Sequence, residues 1–121
     1  MLRFIRFAIL AASACLLLSG QVWAHAHLNL AEPADKAVVS APTAFNLTFS
    51  ESLNPKFSGI KVTGPDRKEV ALGESMLMDG GRVLMVAPVG KLLPGAYKVD
   101  WHALSVDGHK TNGSYGFTVA P

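Results

Sequence analysis

The chain has 121 residues, half of them hydrophobic, with 11 Lys and Arg against nine Asp and Glu and a formal charge of +2. That excess comes from Arg3 and Arg6 alone. The rest is balanced and offers no electrostatic footprint for nucleic acid or an acidic membrane. The single cysteine, Cys15, lies in the same opening segment, so the remainder has neither disulfides nor thiolate chemistry and must be held by its own core.

Residues 1–24 have the form of an export signal. Arg3 and Arg6 give a charged start, 8–18 an apolar run, and Val22-Trp23-Ala24 the small or short residues required before the cut. The run falls short of the ~20 residues of a spanning helix. Cleavage after Ala24 leaves a domain of 97 residues, 25–121, destined for the periplasm, with His25 first. A terminal histidine carries a free α-amine beside its imidazole, so one residue offers two nitrogen donors.

The rest of the chain predicts short strands separated by turns. A first strand covers 27–31 and stops at Pro33, followed by a polar loop through Asp35 and Lys36. Phe45, Leu47 and Phe49 alternate with Asn46, Thr48 and Ser50, the pattern of a strand with one buried face. A short helical turn fits between Glu51 and Phe57, limited by Pro55. Ile60 and Val62 mark another strand, closed by the Gly64-Pro65-Asp66 turn, and a weaker one follows at 70–72. Gly80-Gly81 separates Met76-Leu77-Met78 from a strand at 83–87. After Pro94-Gly95 comes the clearest strand, 97–103, with Tyr97, Val99, Trp101 and Ala103 on one face; Tyr115, Phe117 and Val119 repeat the alternation. About seven strands at such spacing predict an all-β, antiparallel sandwich or small barrel.

Four histidines could carry chemistry: His25, His27, His102 and His109. In Ser105-Val106-Asp107-Gly108-His109-Lys110, between the two clearest strands, Asp107 and His109 stand two apart across a glycine, so a tight turn can aim both at one point. Alone, such a loop is more readily a solvated polar turn than a ligand site. If the first strand starts at that end of the sandwich, His25 meets the loop. One amine, two imidazoles and one carboxylate then make an N₃O set that suits Cu(II), with tetrahedral zinc the chemical alternative. His27 is a further candidate donor, because H-x-H puts both imidazoles on one side of an extended strand. His102 alternates away from Trp101 and belongs on the opposite face. Met76, Met78 and Met85 suggest a soft thioether site, but core or sheet packing within a hairpin is the expectation for each.

Three segments, HAHLNLAEPAD, FNLTFSESLNPKFSGIKVTGP and PGAYKVDWHALSVDGHKTNGSYGFTV, together resemble the CopC/PcoC copper-resistance domain, and within it the YobA-like branch. The resemblance spans residues 25–121 and implies a periplasmic, immunoglobulin-like Greek-key β-barrel that binds Cu(II). It places the Cu(II) ligands on His25 (amine and imidazole), Asp107 and His109, with Trp101 nearby. The family's separate Cu(I) site uses a methionine-rich loop with a histidine. The corresponding stretch here, PDRKEVALGES, has neither, so that site is expected to be absent.

The expected function is therefore a monomeric copper carrier, not an enzyme, that captures Cu(II) and buffers it or hands it to an inner-membrane copper transporter of the CopD type. Two other readings fit fewer residues. A copper-brace monooxygenase also uses an N-terminal histidine, but is usually larger and has a wide substrate face. An immunoglobulin-like interaction module would make the histidines incidental.

Overall fold

The computed structural model describes residues 26–121. The expected signal segment and His25 lie outside the described residues. Among the described residues there are eight strands: β1 (Leu28–Glu32), β2 (Val38–Val39), β3 (Phe45–Phe49), β4 (Gly59–Thr63), β5 (Met76–Met78), β6 (Val83–Val86), β7 (Gly95–Leu104) and β8 (Lys110–Val119). They form two four-stranded sheets, ordered β1-β3-β6-β5 and β2-β8-β7-β4. Every pairing between strands is antiparallel except that of β2, which runs parallel to the end of β8.

The core is the product of period-two alternation on both sheets. Phe45, Leu47 and Phe49 of β3 are buried, with Leu84 and Val86 of β6 beside them. From the facing sheet come Val62 of β4, Tyr97, Val99 and Ala103 of β7, and Tyr115, Phe117 and Val119 of β8. Phe117 ties the layers together: it meets Phe45 edge-on at 5.7 Å between centroids and stacks on Tyr97 at 5.2 Å. Full burial of one such side chain contributes about 1.5–3 kcal/mol, so this sequence can hold its fold without a covalent staple.

The expected strands are present, with three differences. The first runs from Leu28 to Glu32 rather than over 27–31, because Ala26 turns into the core and a register shift falls between Leu28 and Leu30. The weak strand expected at 70–72 is reduced to the isolated bridges Thr63–Glu69 and Leu72–Pro88. The two-residue β2 was not expected, since two valines cannot display a period. The helical turn is a single 3-10 turn at Pro55–Phe57. Proline suits its first turn, where no N–H is required, and the Asn54 side chain accepts from Lys56 N at 3.0 Å.

The longest pairing is β7 with β8, ten residues on ten, from Gly95–Val119 to Leu104–Lys110. It carries residues 105–109 as its connecting loop at one end of the sandwich. Two other connections are bonded there. Val106 N donates to Ser52 O at 3.0 Å, and the Ser52 hydroxyl donates to Gly80 O, in the turn between β5 and β6, at 2.7 Å.

Candidate metal centre

The 105–109 loop closes on itself through its backbone: Ser105 N donates to His109 O at 3.0 Å and Gly108 N to Ser105 O at 2.9 Å. Such a turn needs one left-handed residue, and Gly108 supplies it at φ +96° without the penalty a Cβ would bring. Ser105 anchors the loop. It is 1 % exposed, its hydroxyl donates to Asp107 Oδ1, and its oxygen accepts from His109 N at 3.2 Å.

Those bonds bring the two expected donors together. His109 Nδ1 lies 3.2 Å from Asp107 Oδ1, with the side chains 44 % and 41 % exposed. The Ser105 hydroxyl first, and then His109, hold the Asp107 carboxyl below its ordinary value, so it is a carboxylate throughout the neutral range. Oδ1 accepts from the Ser105 hydroxyl and faces His109 Nδ1. A histidine whose Nδ1 faces a carboxylate presents Nε2 outward, an arrangement common to metal-binding imidazoles. An imidazole nitrogen and a carboxylate oxygen are two of the donor types that divalent copper and zinc accept.

The start of the described chain is bonded to the same end. Ala26 is fully buried, and its carbonyl accepts from the Thr111 hydroxyl, two residues beyond His109, at 2.8 Å. His27 is exposed; its N–H donates to the Ser50 hydroxyl at 2.8 Å, and Ser50 N donates back to His27 O at 2.9 Å. Next to Ser50, Phe49 meets Trp101 edge-on at 5.3 Å. Trp101 in turn lies over Gly113, its register partner, where a Cβ would fall 2.6 Å from the indole.

Asp107 and His109 are thus adjacent, and among the described residues no group of three or more His, Cys, Asp and Glu converges to hold a metal. His102 is exposed on the face opposite Trp101, as its alternation predicts, with its ring over Gly59. Two contributors went unassigned in the sequence. Ser105 had a signal, a serine two residues before Asp107 in a glycine turn. Thr111 had none, since its bond to Ala26 spans 85 positions.

Architecture and site define a small two-sheet β protein that presents a carboxylate–imidazole pair from one hairpin loop, beside the first of its described residues. The CopC domain model matches residues 28–120, and the chain belongs to that family. Its sequence is 43 % identical to Protein YobA of Escherichia coli (strain K12) over 119 residues, 97 % of this chain and 95 % of that one. Among solved structures it is similar to PcoC, a methionine-rich copper resistance protein from Escherichia coli. That match has a TM-score of 0.72 and 35 % identity, covering 80 % of this chain and all of the other. CopC from Methylosinus trichosporium OB3b matches with a TM-score of 0.73 and 33 % identity, covering 80 % of this chain and 95 % of that one.

Proposed function

We propose that this protein is an exported carrier that captures Cu(II) at one site and buffers it or delivers it to a membrane transporter. The ligands in this reading are the α-amine and imidazole of His25, the Asp107 carboxylate and His109, with His27 as a reserve donor. The observation that carries it is the 2.8 Å bond from Thr111 to the Ala26 carbonyl, which ties the residue following His25 to the strand that leaves the Asp107–His109 loop. Family membership supports copper as the cargo, since PcoC is itself a copper resistance protein.

The reading has three further parts. Residues 1–24 are a cleaved signal, so that processing creates the amine. The mature protein works in the periplasm as a monomer, with a CopD-type inner-membrane transporter as its partner. It performs no reaction on the metal: one carboxylate and three nitrogens satisfy Cu(II) as a cargo.

Trp101 is the only tryptophan beyond residue 24 and packs on Phe49, next to the residue that holds His27. Titration of the mature protein with Cu(II) is expected to quench its emission, saturating at one equivalent. His109→Ala is expected to abolish that saturation. Undiminished quenching in the variant would place the metal elsewhere.

A further inference from the structure

The three methionines beyond the opening segment have a different setting from the core packing that a hairpin suggests. Along β5 and β6 the inward positions are Leu77, Leu84 and Val86, and these join the core. The methionines take the alternate positions. Met76 is 55 % and Met78 40 % exposed, and Met85 is half-buried between buried Leu84 and Val86. All three therefore stand on the outer face of one sheet.

Register brings them close. Met76 is the direct partner of Met85, and Met78 lies two residues further along the same face, opposite Val83. Direct cross-strand partners have Cβ atoms about 4.5–5.5 Å apart, and diagonal neighbours about 7–8 Å. A methionine side chain has three rotatable bonds, so three thioethers at these spacings can converge on one point above the sheet. The neighbours of that point are mixed: Val83, Thr48 and the exposed Leu30 of β1 lie in the row of Met78, and Asn46 and Glu32 in the row of Met76 and Met85.

Packing does not account for this placement. Methionine fills irregular gaps in cores, and β5 is an edge strand whose outward side chains close no gap. Edge strands usually carry charged residues that discourage association with another sheet. What the three side chains share is sulfur, a soft neutral donor suited to soft monovalent ions and poorly suited to Mg²⁺, Ca²⁺ or Cu(II).

We propose that Met76, Met78 and Met85 form a thioether site for a soft monovalent cation, Cu(I) or Ag(I), on the outer face of the β5–β6 hairpin. The ion arrives and leaves in the same oxidation state, so no electron is exchanged. The site is separate from the 65–75 stretch in which the family's Cu(I) loop was sought, and it does not depend on the Cu(II) reading. The two donor sets also differ in pH response. Thioethers have no proton to lose near neutrality, whereas amine and imidazole donors are blocked in acid.

The probe is Ag(I), which is soft and stable to redox change, added at pH 5 to protein carrying ¹³C-labelled methionine methyl groups. The Met76, Met78 and Met85 resonances are expected to move together and saturate at one equivalent; Met1, where retained, stays still. Motionless resonances, a shift shared equally by Met1, or one of the three left unmoved would overturn the proposal. Leucine matches methionine closely in volume, so M76L/M78L/M85L is expected to keep the amide spectrum and lose this equivalent of Ag(I). Retained binding would refute the site. Should the triple variant unfold, M76L alone, at the most exposed position, serves the same purpose by weakening the binding. Cu(II) titration of the same variant is expected to be unchanged, which separates the fate of this site from that of the N-terminal one.

Discussion

Ser105 shows how one small side chain can prepare a carboxylate for a cation. Its hydroxyl holds Asp107 Oδ1 and its oxygen receives the His109 amide, so loop shape and ionisation have a common origin. Ser105→Ala leaves the Asp107 carboxyl without its strongest stabilising contact. The Asp107 pKa is then expected to rise toward the ordinary range, measurable by carboxyl NMR titration, and Cu(II) affinity to fall. Removal of the bonded hydroxyl should also cost about 1–2 kcal/mol in chemical denaturation. Tyr115 is the opposite case. Burial pushes its phenol up to about 12, and the hydroxyl has no hydrogen-bond partner among the described residues. Because the unfolded chain ionises this phenol near about 10 and the folded protein does not, stability is whole below about pH 10 and is lost as pH climbs through the folded value. Tyr115→Phe should therefore be at least as stable at neutral pH and should flatten the alkaline decline between about pH 10 and 12. Thermal melts across that range check both halves.

The β7–β8 hairpin is the element that joins core to site, and it was also the element most legible in the sequence. Its alternation is long: Tyr97, Val99, Trp101 and Ala103 face Phe117, Tyr115, Gly113 and Thr111 across the ladder. Period two over ten residues leaves little doubt about which side chains point inward, and a glycine-containing loop between two such runs marks a hairpin. The Asp107–His109 pair followed from that reading. Gly113 did not, because its role lies in what a Cβ would strike. Gly113→Ala is expected to push the Trp101 indole from its seat, cost about 1–3 kcal/mol and shift the tryptophan emission. An unchanged spectrum and unchanged stability would show that the indole is not seated there. β2 was invisible for a different reason: its two residues owe their conformation to β8, through Thr118 N donating to Ala37 O and Ala120 N to Val39 O, each at 2.8 Å. The methionines were seen, but not their direction. Register alone sends Met76 and Met78 outward, with Leu77 between them turned to the core.

At the scale of the molecule, four stretches of chain are bonded together at one end of the sandwich, the end that carries the proposed site. The 105–109 loop meets Ser52, Ser52 meets the β5–β6 turn, and Thr111 holds the chain at Ala26. Sequence separation between these pieces is large, so such a site forms only with the whole fold and is expected to be lost with it on denaturation. With the proposed ligands, copper binding also displaces protons from imidazoles and an amine, groups whose ordinary pKa values are about 6.5 and about 8. Affinity is therefore expected to drop steeply below about pH 6, read by competition titration with a chelator of known pH response. Equal affinity at acid and neutral pH would exclude nitrogen ligands.

In the proposed site, processing creates a ligand: the α-amine of His25. The direct measurement is the Cu(II) affinity of protein beginning at His25, compared with the same protein carrying one extra residue in front. Far tighter binding is expected of the form that begins at His25. Equal affinities would contradict it.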